Sequence, residues 1–123
     1  MIITGDRTPF RRLTFAMEQQ GYEVVSAADP YQGLILVDET GPDMVILDAA
    51  VAGSLRFCAH IRKLVLIPVI LMGSDPPSRA WEQSVDEGAD AYVSVFTEPA
   101  EVVAIVGSIL RRYQKTRSQA ASL

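Results

Sequence analysis

Cysteine is almost missing from this 123-residue chain, and so are long apolar runs and any excess of basic charge. With Cys58 alone, an internal disulfide and a cysteine-rich metal site are both excluded, and a reducing compartment, the cytoplasm, is the expectation. The longest apolar run spans residues 64–72 and contains Pro68. It falls far short of the roughly 20 residues a membrane-spanning helix needs. The first residues, Met1 to Asp6, lack the basic start and long apolar stretch of a secretion signal. Eleven Lys and Arg stand against fifteen Asp and Glu, a formal charge of −4, which excludes a nucleic-acid-binding role for the chain as a whole. No internal repeat or low-complexity segment is present.

What is there is the make-up of one ordinary domain, 49% hydrophobic and 21% charged, long enough to bury a core without metal or disulfide staples. Strand-like apolar runs alternate with helix-like stretches five times, the pattern of a parallel sheet covered by helices on both faces. The strands are expected at Ile2 to Thr4, Tyr22 to Ser26, Met44 to Leu47, Ile67 to Met72 and Tyr92 to Val95. The helices are expected at Pro9 to Gln20, from Asp29-Pro30 to Gly41, Arg56 to Lys63, Asp75 to Glu87 and Pro99 to Tyr113. Asp29-Pro30 supplies an N-cap and a first-turn proline, and Gly21, Gly41 and Gly88 suit helix ends. Right-handed crossovers then give a doubly wound α/β sheet. Residues 1–113 form the domain; residues 114–123 lose apolar periodicity and read as a tail or linker of the kind that precedes a further domain, with a frayed helix end as the other reading.

In such a sheet, chemistry collects just beyond the carboxyl ends of the strands. Asp6 and Asp48 fall there, and two convergent carboxylates suit Mg²⁺. Ordinary loop aspartates are the plainer reading. A phosphatase with an aspartate nucleophile would need a second Asp where Ala50 stands, and Gly5-Asp6-Arg7-Thr8-Pro9 supplies neither dinucleotide nor P-loop glycines. His60 and Cys58 lie in the third helix and read as surface or packing residues rather than a ligand and a reactive thiol.

The succession Ile-Ile-Thr-Gly-Asp, Gly-Tyr-Glu-Val-Val-Ser-Ala-Ala-Asp, Pro-Asp-Met-Val-Ile-Leu-Asp, Ile-Pro-Val-Ile-Leu-Met and Gly-Ala-Asp-Ala-Tyr-Val, over residues 2 to 112, resembles the receiver domain of bacterial response regulators. The resemblance implies a flavodoxin-like fold with five parallel strands in the order 2-1-3-4-5. It also implies two-component signalling by phosphorelay, with a histidine kinase or another phosphodonor as partner. Asp48 falls on the phosphoacceptor position, Asp6 on the second of two metal-binding acids, and the carbonyl of Ala50 on the third Mg²⁺ donor. Tyr92 keeps the aromatic switch position.

Three site groups depart from the family pattern. Gly5 replaces the first acid, Gly73 replaces the hydroxyl residue, with Ser74 beside it as a weak substitute, and Val95 replaces the lysine. Phe96 stands where the proline after that lysine is usual. Loss of the lysine removes a charge-assisted hydrogen bond worth about 1.5–3 kcal/mol to a phosphoryl group. Mg²⁺ binding should be weak. The chain is therefore expected to be a regulatory binding module with weakened or absent phosphorylation dependence, a pseudo-receiver, and not an enzyme beyond its own phosphoryl transfer. The alternatives are a phosphorylatable receiver using Asp48 with Mg²⁺ and, outside signalling, a flavodoxin-like protein that binds a small molecule. The last helix is apolar around Val102 to Val106, and Ile105 stands where receivers commonly expose charge. Trp81, Ile105 and Gly107 are accordingly the candidate interface for a homodimer, output domain or partner protein, through the fourth helix, fifth strand and last helix. The charge is also uneven: residues before Arg111 carry −8 and the tail +4. Only the tail could meet nucleic acid or an acidic partner, with a solvated linker as its expected use, and neither membrane nor direct nucleic-acid binding is expected of the domain.

Overall fold

The computed structural model describes residues 1–4, 10–51, 53–64, 67–74 and 88–121. Five strands, β1 (Ile2–Ile3), β2 (Ser26–Ala27), β3 (Val45–Asp48), β4 (Val69–Gly73) and β5 (Ala91–Ser94), form one parallel sheet in the order 2-1-3-4-5. The described helices are α1 (Arg11–Gln19), α2 (Pro30–Thr40), α3 (Ser54–Leu64) and α4 (Pro99–Ala121). This is the doubly wound sheet expected from the alternation, in the flavodoxin-like strand order that the resemblance implies. The expected helix from Asp75 to Glu87, with Trp81, lies outside the described residues, as do Gly5 and Asp6.

Both faces of the sheet are apolar because successive strand residues point to opposite sides. Ile46, Ile70 and Met72 join Ile2, Phe10, Leu13, Met17, Val102, Val106 and Ile109 in the core under α1 and α4. Val45, Leu47, Val69 and Leu71 join Ile3, Val37, Phe57 and Ile61 under α2 and α3. Each helix meets the sheet along one stripe, as Leu13 and Met17 do in α1 and Val102, Val106 and Ile109 in α4.

The second strand corrects the sequence reading. Tyr22 to Ser26 was the expected span, whereas the ladder with β1 forms only at Ser26–Ala27. Its physical cause is that β2 lies at the edge of the sheet, and its sole neighbour is itself a two-residue strand. One bond, from the Ile2 amide to the Val25 carbonyl at 2.9 Å, is all that carries the pairing back into the Val-Val run. The third strand also ends one residue later than expected, so Asp48 is its last member rather than a loop residue.

Helix α2 matches its sequence signals closely. The Asp29 carboxylate accepts from the Gln32 amide at 2.8 Å, and Gln32 returns the bond by accepting from the Ala28 amide at 2.8 Å, a reciprocal cap with Pro30 in the first turn. Gly41 closes the helix at φ 56°, a left-handed conformation that costs other residues about 1 kcal/mol or more. Helix α4 continues through Ala121, so the residues whose apolar periodicity fades after Tyr113 remain helical in backbone.

At the amino-terminal edge of the sheet a polar cluster ties four elements together. The Asp90 carboxylate accepts from the Val69 amide at 2.8 Å, from Arg62 at 3.3 Å and from the Tyr113 hydroxyl, while Arg62 also donates to the Tyr113 oxygen at 2.9 Å. Burial, followed by the bond to Asp90, pushes the Tyr113 phenol above its ordinary range. No helix among the described residues is long and apolar enough to cross a membrane.

Candidate functional site

The parallel register builds the site. Ile3 pairs with Leu47, which sets the next residue of the first strand, Thr4, beside Asp48. Both side chains project to the α1 and α4 side of the pleat, as Ile2 and Ile46 do. Thr4 donates its hydroxyl to Asp48 Oδ2 at 2.9 Å, and the Ala50 amide donates to Asp48 Oδ1 at 2.9 Å. A turn closed by the Val51 amide on the Asp48 carbonyl at 3.1 Å places Ala50 where it can do so. Asp48 is 9% exposed and Thr4 4%, which makes them the buried polar pair of the sheet. A carboxylate at such a depth needs its oxygens satisfied, and here each has an internal donor.

The opposite side of the same sheet edge is filled by an aromatic ring. Tyr92 pairs with Leu71, and its ring runs forward over Gly73 to Ala49, the residue that follows Asp48. A Cβ on Gly73 would lie 2.5 Å from the Tyr92 hydroxyl oxygen, 3.2 Å from its Cε2 and 3.1 Å from the Ala49 Cβ. Ser74, next in line, is exposed at the bend after β4.

After β5 the chain turns tightly. The Ser94 hydroxyl accepts from the Phe96 amide at 3.1 Å, and the Ser94 carbonyl accepts from the Thr97 amide at 3.1 Å. Val95 is half-buried against the α1 and α4 core, and Phe96 is 80% exposed. The position that the resemblance assigns to a lysine thus holds an apolar side chain that turns into the core.

Mg²⁺ needs more than this donor set offers. The described residues bring one carboxylate, that of Asp48, with both oxygens already accepting a hydrogen bond, and no cluster of three metal-ligating side chains occurs among them. They do not fit the ion by themselves. Asp6, the other acid read as a ligand, lies outside the described residues.

The candidate interface residues divide. Ile105 is half-buried and packs on the α1 and α4 core, as Val103 does, while Ala104 between them is exposed. Gly107 faces Tyr22 and Arg111, since a Cβ there would stand 3.6 Å from the Tyr22 hydroxyl and 3.4 Å from an Arg111 nitrogen. Three contributors escaped the sequence reading: Thr4, Ser94 and the Arg62–Asp90–Tyr113 cluster. For Thr4 a signal existed, a hydroxyl residue closing an apolar first strand at the height of Asp48. The Ser94 turn is local, a hydroxyl two residues before the amide it accepts from, whereas the Arg62–Asp90–Tyr113 cluster depends on how strands and helices align across the sheet.

No family model matches the chain. In sequence it is similar to the phosphate regulon transcriptional regulatory protein PhoB of Escherichia coli K12, 26% identical over 118 residues, covering 91% of this chain and 52% of that protein. PhoB of Klebsiella pneumoniae is similar to the same degree, at 26% over 118 residues and with the same coverage. The chain thus spans about half the length of these relatives. Among solved structures, a CheY-like response regulator receiver domain protein from Methanospirillum hungatei superposes with a TM-score of 0.84 at 20% identity, covering 94% of each chain. NtrX from Brucella abortus gives 0.91 at 15% identity, covering 99% of this chain and 28% of that one. A two-component response regulator from Clostridium difficile gives 0.83 at 21%, covering 90% and 93%.

Proposed function

We propose that the chain, a response-regulator receiver domain by its fold and its similarity to PhoB, serves as a regulatory binding module whose state does not depend on phosphorylation of Asp48. The observation that carries this reading is the Asp48 carboxylate itself, buried and bonded on both oxygens by Thr4 and Ala50. Phosphoryl transfer is mainly positioning and neutralisation of charge on the equatorial oxygens. Around Asp48 the groups for that task are replaced: an apolar Val95 at the cation position and a ring-covered Gly73 at the hydroxyl position. An incoming phosphoryl group would have to break one of the carboxylate's internal bonds and would find an apolar side chain, not an ammonium, at position 95.

A second reading rests on the retention of Asp48 at the end of β3. In it, Asp48 accepts a phosphoryl group with Mg²⁺, helped by Asp6 and Ser74. Incubation with acetyl phosphate, or with beryllofluoride and Mg²⁺, separates the two. No covalent adduct by intact mass and no shift of the amide spectrum are expected. A Mg²⁺-dependent adduct or shift that vanishes in Asp48→Asn would replace the first reading by the second. Partners follow the same division: an output domain or partner protein on the first reading, and a histidine kinase or other phosphodonor in addition on the second.

A further inference from the structure

We infer that a cavity at the amino-terminal edge of the sheet is a binding site for a small molecule with an apolar body and one cationic group. The cavity lies beyond the opposite end of β3 from Asp48, so its occupancy is a separate matter from phosphorylation.

Its volume is about 350 Å³, within the roughly 300–1,000 Å³ of pockets that enclose small ligands. The walls come from β1, from Met17 of α1, from Val106 and Leu110 of α4, and from the stretches 22–25 and 40–44. Because β1 is two residues long and pairs with β2 only at Ser26–Ala27, residues 22–24 run beside the cavity rather than beside a strand. The interior is apolar: Ile2, Met17, Met44, Ile46 and Val106 all line it and all belong to the buried core. The two methionines are unbranched and adapt to the shape of what they cover.

The mouth has a different character. Glu23 and Asp43 are exposed there, and neither is ion-paired with a described lysine or arginine. No Lys, Arg or His is among the described residues that line the cavity; Arg111, which flanks Gly107 together with Tyr22, stands outside the lining. The one amine in the wall, that of Met1, donates to the Met44 carbonyl, and burial lowers its pKa to about 6, so it is largely uncharged at neutral pH. An apolar interior beneath two carboxylates disfavours anions. It suits a molecule whose hydrocarbon enters while its cation stays in the wetted mouth, where it needs no costly desolvation.

Three probes of similar shape separate the contributions: phenethylammonium, phenethyl alcohol and hydrocinnamate, each titrated into the full chain at neutral pH and low salt and followed by amide shifts. The shifts should gather at Val24, Met44 and Leu110. Phenethylammonium should bind about fivefold more tightly than the alcohol, and hydrocinnamate most weakly. Added salt should erode the advantage of the ammonium and leave the alcohol unmoved. Glu23→Gln combined with Asp43→Asn, at two exposed positions, should remove that advantage, whereas Asp48→Asn should leave all three titrations unchanged. Val24→Trp, which fills the cavity from its side, should abolish the shifts; should that variant not fold, the carboxylate variants still decide. Shifts absent with all three probes, or gathered at Asp48 and Ala50 instead, overturn the site. An ammonium bound no more tightly than the alcohol or the carboxylate overturns the assigned class of ligand.

Discussion

Replacing Thr4 by valine should destabilise the domain through Asp48 and through no other acid. Thr4 donates to Asp48 Oδ2 at 2.9 Å, and both residues are buried. Valine keeps the shape of threonine while removing the donor. A hydrogen bond to a charged group contributes about 1.5–3 kcal/mol, and a buried oxygen left without its donor keeps that whole loss. In an Asp48→Asn background the partner is neutral, and the same hydroxyl is worth about 0.5–1.5 kcal/mol. The two estimates leave a coupling of roughly 1–2 kcal/mol between the residues, with every other contact of Thr4 cancelling in the cycle. Urea unfolding of the four proteins measures it, provided the slope of stability against urea stays constant across the set. A coupling within about 0.5 kcal/mol of zero would mean that the two side chains do not hold each other, and the view of Asp48 as an internally satisfied carboxylate would fall with it.

Four further outcomes follow from individual groups. Asp29→Ala removes the cap of α2 and should cost about 1 kcal/mol, read as a lower urea midpoint with helix α2 losing amide protection first. Tyr113→Phe should cost about 1 kcal/mol, because the cluster it joins is partly exposed; Asp90→Ala should cost about 2 kcal/mol, since it also strips the Val69 amide of its acceptor. The amine of Met1 donates to the Met44 carbonyl at 2.8 Å, and burial lowers its pKa from 8.0 to about 6 against the opposing charge of Asp43. The unfolded chain binds the proton more tightly, so stability should rise with pH between 6 and 8 by about 2–3 kcal/mol and level off above. Acetylating that amine should flatten the rise; a slope that survives acetylation assigns it to another group.

The periodicities carried the fold because both cores are written in alternate residues: Val45 and Leu47 against Ile46, Val69 and Leu71 against Ile70. Strand limits were less legible. Val24 and Val25 have strong strand preference, yet an edge strand is only as long as its partner allows, and β1 is two residues long. Propensity is a property of the segment; pairing belongs to the neighbour. At the site, the chain order announced Asp48 and the departures at Gly73 and Val95. A hydroxyl residue closing the apolar first strand was the one sign that Thr4 would cap the carboxylate, and nothing announced that Tyr92 would lie across Gly73, since both contacts join residues more than eighteen positions apart through the sheet register.

The two sides of the sheet edge were altered in the same sense. On the α1 and α4 side, a hydroxyl from β1 gives Asp48 a bond it would otherwise have had to find in a ligand. On the α2 and α3 side, loss of a side chain at 73 lets Tyr92 fill the space against Ala49. An open site for an anion keeps donors unpaired and space unfilled, at a cost in stability that binding then offsets. Among the described residues, both oxygens of Asp48 are bonded and the space beside Gly73 is occupied from within. On the phosphate-independent reading proposed above, an apolar Val95, a carboxylate bonded on both oxygens and a ring over Gly73 together favour a surface whose shape is set at folding. On that reading Asp48 serves as the acceptor that joins the end of β1 to the turn after β3.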